Sequence, residues 1–294
     1  MNSFSDRLAE RLPCFYGYLM IPLAMLMQLG TSPGQTFAVS AFTPALLTGL
    51  SLSQSQLGLA YMLGTLFAAA PLTLVGPAAD RHGLKRIALI VVAALAGACV
   101  FASTVQGFYG LLVAFFLLRF LGQGSLTLLA GNTTSMWFRS RIGRVSAFLS
   151  VGSAIAFALV PEWLSDSIAR YGWRDTYQGI GWILVLFLLP LVLLLYRNRP
   201  EDVGQFVDGT RGRKSISDSA DEESSDGDAY EDESEHSLTL RQAARTGSYH
   251  ILAYANVVWA MAGTGVLFYL FTLCQQRMLP DETAGTLFKT LGLS

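Results

Sequence analysis

Apolar side chains run along the chain in long blocks of some twenty residues, parted by short polar stretches that hold most of the charge. From Leu12 to Ala79 no charged side chain occurs at all. A helix crosses a hydrocarbon core of about 30 Å in roughly 20 residues. On that ruler seven blocks qualify, near 16–45 (long and internally broken), 55–78, 85–105, 109–135, 143–164, 177–196 and 248–275. Barrel strands would run for about ten residues with alternating polarity, whereas Ile183 to Leu195 is apolar at both parities. The predicted fold class is therefore all-α. It is a multi-pass membrane helical bundle with a tail over 1–15, a six-helix bundle over 16–196, a linker over 197–245, and a seventh transmembrane helix with the start of a second bundle over 246–294.

Composition sharpens this. Of 294 residues 52% are hydrophobic and 14% charged, against about 25% charged in soluble chains, which excludes the soluble-enzyme classes. A net charge of -1 and the lack of a basic face leave no drive toward nucleic acid. Cys14, Cys99 and Cys274 stand singly in or near apolar segments, and the three histidines lack ligand spacing, so neither metal nor cofactor is expected. Fifteen of the twenty Lys and Arg fall at the tail or in the loops after spans 2, 4 and 6. By the positive-inside rule the N-terminus is cytoplasmic, in the cell (inner) membrane. Thirteen acidic residues between Pro200 and Leu240, with many serines, predict a disordered cytoplasmic linker. The arrangement reads as one bundle and the beginning of another, so a missing C-terminal half of the same protein is an expected partner, alongside a small-molecule substrate and the lipid bilayer.

The chemistry is sparse. Small residues step by four along span 2 (Ala60, Gly64, Ala68) and span 5 (Ser146, Ser150, Ala154, Ala158), a pattern for close helix packing. Span 1 is broken at its centre by Gly30, Pro33 and Gly34, with Gln28, Thr31 and Gln35 around the break. Irregular backbone at membrane depth persists only where protein or a water-filled cavity satisfies it. Span 7 carries Gly263-Thr264-Gly265 at a matching depth, with Asn256 two turns earlier. Paired interruptions in two halves point to a transporter's central site. Arg119 is the one basic residue inside a span, followed at four-residue steps by Gln123 and Thr127. It should face the bundle interior, as a brace for the freed carbonyls of span 1 or as a ligand group. No acidic partner and no proton carrier are assigned within the spans, and no nucleophile or acid/base constellation of an enzyme is seen.

Gly76-Pro77-Ala78-Ala79-Asp80-Arg81-His82-Gly83-Leu84-Lys85-Arg86 resembles the G-x-x-x-D-R-x-G-x-[KR]-[KR] loop of the major facilitator superfamily. Arg119 to Gly124 resembles that superfamily's span 4 motif. Trp137 to Arg144, Tyr171 to Arg174 and Arg199 to Gly204 are similar to stretches of its monocarboxylate and oxalate/formate branch. The resemblance implies a twelve-helix secondary transporter working by alternating access. Its solute would be a small organic anion such as a monocarboxylate, and Gly76, Asp80, Arg81, Gly83, Lys85 and Arg86 would form the conformational-switch loop. Cavity candidates are Gln28, Thr31, Gln35, Arg119, Gln123, Asn256 and Thr264. The alternative is a transport-inactive scaffold or sensor that signals through the acidic linker.

Overall fold

The computed structural model describes residues 15–209, 245–279 and 281–293. The first crossing is two helices, α1 (Gly17–Gly30) and α2 (Thr36–Gly49), joined by a 3-10 turn at Ser32–Gly34. The second is α3 (Gln54–Leu72) with α4 (Val75–His82), and the third is α5 (Leu84–Thr104). The fourth runs from α6 (Gly107–Leu118) through a π segment at Arg119–Leu126 into α7 (Thr127–Trp137). Then come α8 (Ile142–Ile183), a π segment at Leu184–Leu188, α9 (Leu189–Leu195), α10 (Gly247–Gln276) and α11 (Asp281–Leu293).

Among the described residues, five continuous helical runs are long and apolar enough to cross a membrane, against seven expected crossings, and the difference lies in the connections. Ile142–Leu195 holds 54 residues, about 80 Å at 1.5 Å per residue, so it is two crossings. They meet at Gly172, whose φ of 83° only glycine adopts without cost. The first crossing falls short as one helix because Pro33 supplies no N–H and ends the regular ladder.

The described residues form two compact units, one of 15–209 with Leu267 onward, the other of 245–266. The seventh crossing is divided between them, rather than 246–294 standing together. In the first unit, small residues let helices touch as the sequence suggests. A Cβ at Gly64 would stand 2.9 Å from the Phe116 nitrogen, which places α3 hard against α6. The stripe on span 5 behaves differently. Ser146 and Ser150 are exposed, and only Ala154 and Ala158 make a close seam, with Gly292 of α11.

Two expectations need correction. Residues 197–209, placed in the disordered linker, are folded as 3-10 turns at Pro200–Val203 and Val207–Gly209. They fold because their polar side chains find open helix starts. Asn198 Oδ1 accepts from Lys85 N (2.8 Å), Gln205 Oε1 from Tyr16 N (2.8 Å), and the Asp208 carboxylate from Ser140 N (2.9 Å) and Arg139 N (3.2 Å). These bonds hold the Asp208 carboxyl below the usual carboxylate range. The rest of the linker, 210–244, and the tail 1–14 lie outside the described residues. Secondly, the spans do hold an acid. Glu162 of α8 pairs with Lys289 of α11, and the Cβ of Glu162 lies against Gly285.

Candidate functional site

The break in the first crossing frees backbone carbonyls, and several are answered locally. Thr31 Oγ1 donates to Gln28 O (2.7 Å) and Ser32 Oγ to Leu29 O (2.5 Å). Gly34 N and Gln35 N close the 3-10 turn on Thr31 O and Ser32 O, both at 2.9 Å. Gln35 then turns extended, φ -82° and ψ 150°, to start α2. The carbonyl of Gly34 is answered from another crossing. Arg119 Nη1 donates to it at 3.2 Å and lies 3.4 Å from Thr36 Oγ1, so the guanidinium does for the backbone what solvent would do outside a membrane.

The arginine reaches that carbonyl because two irregular segments touch. A Cβ on Gly34 would run into the Leu118 carbonyl and lie 2.8 Å from Gln123 N, and one on Gly122 would lie 3.1 Å from Thr31 O. Both positions demand glycine for close approach. On the facing side, Arg119–Leu126 is π-helical, and Ser125 Oγ donates to Phe120 O five residues back at 2.7 Å. Such bulges concentrate at functional sites. The Arg119 guanidinium stacks over the Tyr61 ring, 5.0 Å from its centroid, and Tyr61 Oη bonds Thr36 Oγ1 at 2.8 Å.

Beside the break lies a cavity of ≈ 220 Å³ lined by Gln28, Thr31, Gln35, Thr36, Ser153 and Phe157 among others. Gln35 Nε2 donates to Thr31 Oγ1 at 3.0 Å, so the two are locked to each other. The structure thus brings Gln28, Thr31 and Gln35 together, and Arg119 stands one hydroxyl behind the wall, through Thr36. Gln123 is elsewhere: its Oε1 is buried with no hydrogen-bond partner, and it does not line the cavity. Asn256 and Thr264 belong to the second unit, where Asn256 Nδ2 donates to Leu252 O of its own helix at 2.9 Å.

The expected break at Gly263-Thr264-Gly265 is absent, since α10 is continuous from Gly247 to Gln276. Glycines weaken a helix by only about 1 kcal/mol each and keep their N–H, and no proline accompanies these two. Thr36, Tyr61, Ser153 and Phe157 were not singled out from the sequence. Thr36 follows Gln35 directly and could have been found as the first residue of the restarted helix. Nothing in the sequence marks Tyr61 or Ser153, because their roles come from contacts between distant segments.

The loop after the second crossing turns at Gly83 with φ 88°, as its sequence requires. Lys85 donates its N–H there to Asn198 Oδ1, and Asp80 lines a pocket of ≈ 250 Å³ with Gly83, Asn132, Ser135, Asn198 and Arg199. Arg81 and Arg86 are exposed, and a Cβ on Gly76 would meet open space.

No curated protein matches the chain. Comparison with known families matches residues 24–293, nearly the whole of it, across the broken first crossing, the Gly83 turn, the π segment and α11. The chain belongs to the Major Facilitator Superfamily, a family of membrane transporters.

Proposed function

We propose that this protein is a secondary transporter that carries a small organic anion, such as a monocarboxylate, by alternating access, in the cell membrane with its N-terminus cytoplasmic. The observation that carries the reading is the cavity at the break. It offers amides and hydroxyls from Gln28, Thr31, Gln35, Thr36 and Ser153, no acidic group lines it, and Arg119 sits behind Thr36. A cation held in a low-dielectric wall favours negative charge in front of it. The orientation rests on the basic loops at 81–86, 139–144 and 197–199, which lie at the ends of crossings that share one membrane face.

The test is reconstitution of the full chain in liposomes with panels of labelled carboxylates, sugars and organic cations. Saturable uptake of a carboxylate, competed by other carboxylates and not by sugars, is the expected result. In a cysteine-free background, cysteines at Gln35 and Ser153 should react with a small hydrophilic thiol reagent, and the transported anion should slow both reactions. Transport restricted to neutral or cationic solutes would overturn the anion assignment, and absence of any flux would favour a scaffold or sensor.

A further inference from the structure

Two cavities flank the broken segment and share no residue. Gln28, Thr31 and Gln35 line the polar one, while Leu29, Gly30, Ser32 and Pro33 form part of the lining of the other. This second space, ≈ 240 Å³, lies between the first crossing and the two halves of the Ile142–Leu195 hairpin. Its far wall is Leu184, Phe187 and Leu188, from the π segment. Irregular backbone therefore meets it from both sides.

The groove's lining is almost wholly apolar, the Trp163 indole N–H at its rim being the exception besides Ser32. The one side-chain hydroxyl in it, Ser32 Oγ, is committed to Leu29 O at 2.5 Å. A cavity with no polar partners stays dry. Its rim carries Trp163, Ile183 and Phe187, 48%, 45% and 66% exposed, from a run long and apolar enough to cross a membrane, with Leu26 of α1, 41% exposed, beside them. The groove is thus continuous with the exposed apolar surface of the Ile142–Leu195 run. Left empty, it would forfeit the dispersion contacts of every atom lining it.

We propose that this groove holds one acyl chain of a membrane lipid, packed against the outer face of the break. Gly30 and Pro33 bracket Thr31, so a chain seated there stiffens the same short turn that presents Thr31 and Gln35 to the polar cavity. The bilayer thereby acts on the polar cavity through four residues of backbone, whatever solute that cavity takes.

The experiment uses the full chain in vesicles containing phosphatidylcholine with a photoactivatable diazirine near the end of one acyl chain, and maps labelled residues by mass spectrometry. Labelling should be several-fold higher over 160–164 and 183–191 than at Leu66 and Phe67 of α3, which are comparably exposed at 63% and 53%. Val160→Trp, which fills the groove, should bring labelling down to the α3 level, while Leu66→Trp should leave the groove signal unchanged. Ile183→Phe serves as a smaller filler if Val160→Trp does not fold. Equal labelling of groove and α3, labelling that persists in both filled variants, or crosslinks joining two copies at the groove would each overturn the proposal.

Discussion

Arg119 and Gly34 form one unit at the scale of single residues, and substitutions at the two should fail in different ways. Arg119→Gln leaves the Gly34 carbonyl without a donor in a buried setting. This should cost about 1–3 kcal/mol of stability, read as a lower melting temperature in detergent. If the cation also draws the anion, the same variant loses substrate affinity and Arg119→Lys loses less, because the charge remains while the planar fork is gone. Both quantities should be measured on the same preparations; unchanged affinity in the Gln variant would leave the arginine a brace alone. Gly34→Ala must force apart the two backbones at the Gly122 crossing, with a similar penalty of about 1–3 kcal/mol for overpacking. Gly76→Ala, facing open space, is the matched control and should melt no lower than the parent. The break itself was readable from Pro33 and its two glycines, because local chemistry dictates it. The identity of the carbonyl that Arg119 serves was not, since it depends on which turn of a distant helix comes within reach.

Helices and their termini show where pattern reading stops. The span count followed from hydrophobic length, which a hydrocarbon slab imposes regardless of partners. Glu162 stands inside the fifth block in the sequence itself, but its pairing was not legible there, because Lys289 lies more than a hundred residues later and such pairings leave no periodic trace. Both side chains of this pair are about two-fifths exposed, so removing one member loses a partly screened interaction. Glu162→Gln alone should therefore destabilise by up to about 1 kcal/mol, and in the double variant Glu162→Gln/Lys289→Gln the two losses should be less than additive. A double-mutant cycle of melting free energies decides it; additive losses would deny the coupling. At the other face, the carboxyl of Asp208 is depressed in the folded state by the N–H groups of Ser140 and Arg139. Its contribution is then present above the ordinary carboxylate pKa of about 3.9 and fades as pH falls through the lower folded value. Because the group is exposed, the effect is small. It should appear as a step in melting temperature at acid pH that Asp208→Asn abolishes.

Across the whole molecule, Asn198, Gln205 and Asp208 give the chain a timetable. Each caps a helix start made much earlier, at Lys85, Tyr16 and Ser140. Ribosomes emit residues in order, so the openings of the first, third and fifth crossings wait for the residues that follow the sixth. A nascent chain halted with residue 196 just clear of the translation machinery should exchange the Lys85, Tyr16 and Ser140 amides faster than the finished chain does. One halted with residue 209 clear should protect all three together. The bundle is thus finished from its last segment backwards, and a lesion in thirteen residues beyond the sixth crossing should register as slow maturation of helices made long before.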